Sequence, residues 1–111
     1  MSRRASGLRA WLLQRISAVY IGLFILGLLA MLLIAPPHSF MDWREWLARP
    51  LVMVAFILFI VSVALHAWVG MRDVLIDYVH PLGWRVLALS LTAFYLLGSA
   101  IWALLALEKL L

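Results

Sequence analysis

Three stretches of this chain run for about twenty residues without an Asp, Glu, Lys or Arg: Ile16 to Ala35, Leu51 to Met71 and Val86 to Leu107. A helix rises about 1.5 Å per residue, so each stretch is long enough to cross the hydrocarbon core of a bilayer, roughly 30 Å thick. The alternating pattern of a membrane barrel is missing, and three strands would not close one. The expected fold class is therefore all-α integral membrane. Residues 1–111 should form a single three-helix domain, with spans at about 16–35, 51–71 and 86–107. A hydrophobic content of 68%, against about half in soluble domains, agrees with this.

The first apolar run leads into Pro36-Pro37 rather than a small-residue cleavage site, so it is expected to stay as a span and not to be removed as a signal peptide. No cysteine is present, which rules out disulfides, thiolate metal ligands and iron-sulfur ligation by this chain. The net charge of +4 reflects orientation rather than nucleic-acid binding, because the basic residues sit at helix ends. Arg3, Arg4, Arg9 and Arg15 precede the first span, whereas Arg44 and Arg49 in the next loop are balanced by Asp42 and Glu45. The positive-inside rule then puts the N-terminus in the cytoplasm, residues 72–85 back on that side, and the C-terminus in the periplasm. Trp43 and Trp46, three apart, suggest a short interfacial helix or loop, with His38 solvated beside it. Pro50 suits the first turn of span two, and Pro81 with Gly83 should break the chain before span three. Ser17, Gly22 and Gly27 are small enough to let a neighbouring helix approach span one closely.

Most of the chain's unusual polarity falls between Ser62 and Pro81, in SVALHAWVGMRDVLIDYVHP. His66 lies inside an apolar run, and an ionisable group at membrane depth is costly enough to mark a functional site by default. Ser62, His66, Gly70, Asp73 and Asp77 follow one another at spacings of four, four, three and four and so share a helical face. At helical rise His66 lies about 9 Å below Arg72 and about 16 Å from Asp77.

The residues alone leave two readings of His66 open. Neutral imidazole is a natural intramembrane ligand for haem iron, with Gly70 giving room for a macrocycle and Arg15 a cation for its propionates. Because this chain has a single histidine at that depth, a second axial ligand would have to come from another polypeptide or a second copy of this one. The other reading is a histidine hydrogen-bonded to a helix neighbour, although Ser62, four residues before it, would more simply bond its own backbone. Asp77 and Tyr78 are open in the same way. A phenol beside a carboxylate suits hydrogen-bonding and protonation of a quinone at the interface, while a helix-ending pair in the aromatic belt is the plainer reading. Arg72 with Asp73 reads as an anchor and a solvated acid, and His80 as a proton shuttle or a water-facing histidine.

LHAWVGMRDVLIDYVHPLGWR, preceded by LLQRISAVYIGLF, resembles the smaller hydrophobic anchor subunit of bacterial succinate:quinone oxidoreductase, respiratory complex II. The likeness runs from about Gly7 to Arg85, and its most specific part is HAWxGMxxVLxDYxxP from His66 to Pro81. The resemblance implies that His66 is an axial ligand to haem b, shared with the larger cytochrome b anchor subunit. It implies that Tyr78 hydrogen-bonds ubiquinone beside Asp77, and that Arg15 and Ser17 lie near the haem propionates. It further implies a multi-pass subunit of the bacterial inner membrane that seats a flavoprotein and an iron-sulfur subunit. The chain would contribute to the quinone site and take no part in succinate oxidation. Arg72 and His80 depart from the family pattern, standing where relatives carry an aromatic residue and a lysine. The alternatives are the anchor of a quinol:fumarate reductase and a structural membrane protein that only binds partners. A proton-coupled carrier is disfavoured because spans one and three hold no ionisable residue in their cores.

Overall fold

The computed structural model describes residues 3–111, with side chains from residue 7 onward. Four helices follow one another: α1 (Arg3–Ile34), α2 (Phe40–Leu47), α3 (Pro50–Tyr78) and α4 (Leu82–Glu108). Three of them are long and apolar enough to span a membrane, over Gly7–Ile34, Pro50–Tyr78 and Leu82–Glu108. The described residues contain no strand. The three expected spans are therefore present, each longer than its charge-free run. Nothing between Arg3 and Gln14 breaks a helix, so the basic segment continues α1 rather than lying apart from it. The side chains of Arg3 and Arg4, which counted towards the expected orientation, fall outside the described ones.

α3 is the shared partner, and α1, α2 and α4 each pack against it. Among the described residues the result is an open row, α1–α3–α4, drawn out to 52 Å along its longest axis. α1 turns a narrow stripe to α3, and Gln14, Ser17, Tyr20, Phe24, Leu28 and Met31 are among its partly or fully buried positions. Their spacing of three or four follows the 3.6-residue period of the helix. Phe24 stacks on Phe59 with ring centroids 4.3 Å apart and meets Phe56 edge-on at 4.9 Å, and the Tyr20 hydroxyl donates to the Ala55 carbonyl at 2.7 Å. Gly22 and Gly27 do not mark a close approach. A Cβ added at either would meet nothing within 4 Å, and of the small residues expected to do so only Ser17 is buried against α3.

The connections follow from their residues. Pro36 and Pro37 stop α1. Ser39 then caps α2, accepting from the Asp42 backbone N–H at 3.1 Å, while Asp42 accepts from the His38 N–H at 3.0 Å. α2 is the expected short helix, and its Trp46 packs edge-on against Phe56. Pro50 occupies the first turn of α3. The break before α4 is narrower than expected: Pro81 caps the helix, and Gly83 lies inside its first turn.

At the end of α3 the orphan carbonyls are taken up by Arg85, which donates from Nε to Val79 O at 2.9 Å and from a terminal nitrogen to Ile76 O at 3.0 Å. Charged donors make the stronger hydrogen bonds, so Arg85→Ala should cost about 1–3 kcal/mol and lower the thermal unfolding midpoint of the detergent-purified protein. An unchanged midpoint would show that the three-residue turn holds without the clamp.

Candidate functional site

Among the described residues only two side chains are buried, Ser17 and Val69, each 4% exposed. Ser17 meets the His66 ring across the α1–α3 seam, and Val69 lies three residues further along α3. Many large apolar side chains elsewhere are exposed, as expected where lipid or partner subunits complete the packing. His66 thus stands in the most enclosed part of the chain.

Its ring meets α1 through both nitrogens. The Ser17 hydroxyl lies 3.0 Å from Nδ1, and the Gln14 side-chain amide nitrogen lies 3.5 Å from Nε2. Ser17 also donates to the Gln14 backbone carbonyl at 3.0 Å. A hydroxyl has one hydrogen, and if it goes to that carbonyl the oxygen can meet Nδ1 only as an acceptor. With the Ser17 hydrogen on that carbonyl, the ring proton lies on Nδ1 and the lone pair on Nε2. The hydroxyl that reaches the ring comes from the neighbouring helix, and not from Ser62 one turn away.

Gly70, one turn further along α3, is where α1 comes close: a Cβ there would lie 3.6 Å from the Gln14 amide nitrogen. Gln14 fills the room beside the imidazole, and its Oε1 is buried without a hydrogen-bond partner. Nothing in the residue types alone singles Gln14 out. Its place on the three-to-four stripe with Ser17 was the signal that could have found it.

The other expected site residues lie elsewhere. Arg15 is exposed on α1, its guanidinium 5.5 Å from the centre of the Trp11 ring. It lines a shallow apolar groove of about 390 Å³ with Ile16, Val19, Tyr20 and Leu23. α3 does continue to Tyr78, so the face carrying His66 and Asp77 is one helix as expected. Asp77 and Tyr78 stand at its end, and Tyr78 is 78% exposed. At helical rise Tyr78 is about 18 Å along the axis from His66, so the two lie at separate levels of the chain. Arg72 pairs with its neighbour Asp73 at 3.2 Å; both are substantially exposed, and the pair contributes little. His38 and His80 are exposed, away from the seam.

A family model described as succinate dehydrogenase/fumarate reductase transmembrane subunit matches residues 1–107. The chain belongs to that family. A similar protein is the succinate dehydrogenase hydrophobic membrane anchor subunit of Coxiella burnetii (strain RSA 493 / Nine Mile phase I). It is 31% identical over 103 residues, which cover 93% of this chain and 88% of the relative. The chain is accordingly a multi-pass membrane anchor of this family, associated with the other subunits of its complex.

Proposed function

We propose that this anchor serves a succinate:ubiquinone oxidoreductase in the bacterial inner membrane, supplying one axial ligand to a haem b and part of the ubiquinone site. The observation that carries the haem reading is the enclosed His66, with Nδ1 3.0 Å from the Ser17 hydroxyl and Nε2 3.5 Å from the Gln14 amide nitrogen. A neutral imidazole whose second nitrogen is held by a hydrogen bond is the donor that iron takes. The residues fit one coordination position only. The second ligand belongs to the larger anchor subunit, which would cover the open side of the α1–α3 row. Arg15 is within reach of that face if its side chain leaves Trp11, and would balance the propionates. When bound, the haem supplies a one-electron redox centre between the two anchor subunits.

At the end of α3 the chain's own work is hydrogen bonding. The exposed Tyr78 phenol can donate to a quinone carbonyl, and Asp77 beside it gives a carboxylate through which protons reach the site. Reduction of a quinone takes up two electrons and two protons, so a donor already placed at the carbonyl favours the charged forms along the way. Electrons would come from the iron-sulfur subunit, and the flavoprotein would oxidise succinate. The N-terminus of α1 would lie in the cytoplasm and the C-terminus in the periplasm, since Arg9, Arg15, Arg72 and Arg85 gather at the Tyr78 end. The name of the Coxiella burnetii relative favours succinate oxidation over fumarate reduction.

Purification through this chain in mild detergent tests the proposal. A flavoprotein, an iron-sulfur subunit and a larger anchor should co-purify, with dithionite-reducible b-type haem in amounts matching the flavin. A complex that carries flavin but no haem would remove the haem role and leave the anchor role standing.

A further inference from the structure

We infer that Gln14 is a displaceable cap on the ligand nitrogen of His66, covering the lone pair until haem iron takes it. This rests on the reading of His66 as an axial ligand. Ser17 and Gln14 divide the imidazole between them. Ser17 is held by two hydrogen bonds of 3.0 Å, to His66 Nδ1 and to the Gln14 backbone carbonyl, and fixes where the proton sits. The Gln14 amide nitrogen lies 3.5 Å from Nε2, and with the ring proton on Nδ1 it donates to the remaining lone pair. Turning the amide so that Oε1 met Nε2 would set two acceptors against each other, so the amide nitrogen is the end that belongs there.

Iron needs the same lone pair, so amide and iron exclude one another. A Cβ added at Gly70 would lie 3.6 Å from the amide nitrogen, so Gln14 occupies space that the missing Gly70 side chain leaves. Three features make the cap easy to displace. Its one bond to the ring is long, its Oε1 is buried with no partner, and its other atoms lie on a helix edge that is only partly covered. Rotation of the side chain out of the seam would free Nε2. Ser17 would stay, so the ring would keep the tautomer that coordinates metal.

The consequence is a conformational tax on haem binding, in which the apparent affinity falls with the fraction of molecules whose cap is open. The test uses the whole complex, purified from cells unable to make haem and then mixed with haemin while the Soret band grows. Gln14→Ala should take up haem about threefold faster or more than the native complex, and should reach the same final spectrum. Equal or slower uptake would overturn the cap and make Gln14 a packing residue or a haem contact. A second measurement needs no haem. In the haem-free complex with 15N-labelled histidine, Gln14→Leu, which keeps the packing on Gly70, should shift the unprotonated-nitrogen resonance of His66 and leave the Nδ1 proton in place. No shift would also overturn the cap. Failure of the native complex to bind haemin at all is a different result, which would remove the ligand reading and the cap together.

Discussion

His66→Ala should abolish the b-haem Soret and α bands of the purified complex while flavin content stays at the native level. The expected loss is large because iron held between two helices in lipid has few replacements. The described residues offer no cluster of histidine, cysteine or carboxylate side chains that could hold a metal ion in its place. His38 and His80 are on exposed segments away from the α1–α3 seam. Ser17→Ala provides a graded companion. It leaves the iron ligand but removes the group that holds the proton on Nδ1, a hydrogen bond of 3.0 Å made by one of the two buried side chains. Loss of such a supporting partner weakens metal binding by about 10- to 100-fold, so this variant should retain haem at high concentration and shed it on dilution. If the alanine at position 66 prevents assembly, the Ser17 variant still reports on the site. Native haem content and spectrum in both variants would overturn axial ligation.

The fold was legible because membrane solvent imposes a coarse rule that charge-free length satisfies or fails. Val86 to Leu107 met that rule without any other distinguishing feature, and it is a helix. The helix ends were less legible. α1 runs back to Arg3 because arginine, alanine and leucine are good helix formers, whatever the polarity of their surroundings. The isolated His66 could be read as important from its depth alone, but its partners could not. Which residue of α1 faces it depends on the antiparallel register of two helices, and that register is set by Phe24 on Phe59 and Tyr20 on Ala55 as much as by the site itself. Ser62 was the nearest hydroxyl in sequence and Ser17 the nearest in space. Gln14 and Arg15 show how fine the distinction is. One residue apart, they differ by about 100° around the helix, so one enters the seam and the other lies on Trp11. The family likeness set Arg15 and Ser17 side by side as a pair. In the structure Ser17 meets the imidazole and the Arg15 guanidinium lies over Trp11.

Tyr78→Phe should cut succinate-to-ubiquinone electron transfer by about tenfold or more, while succinate oxidation with an artificial acceptor that takes electrons from the soluble subunits stays unchanged. The substitution deletes only the phenolic oxygen. Tyr78 closes α3 with its ring 78% exposed, so no packing is lost and the thermal unfolding midpoint should not move. The size of the effect follows from charge. A hydrogen bond to a neutral carbonyl contributes about 1 kcal/mol, and one to the more negative oxygen of a partly reduced quinone about 1.5–3 kcal/mol, so the loss should fall more on turnover than on apparent quinone affinity. Asp77→Asn keeps the shape and removes the proton acceptor, and its effect should be smaller and should deepen as the pH rises and protons become scarcer. The haem spectrum gives an internal control. His66 lies about 18 Å along the helix from Tyr78, beyond direct contact, so the b-haem bands should be native in the tyrosine variant. Equal loss with quinone and with the artificial acceptor would mean that Tyr78 seats the soluble subunits rather than the quinone, as its exposed place at the end of α3 would also permit.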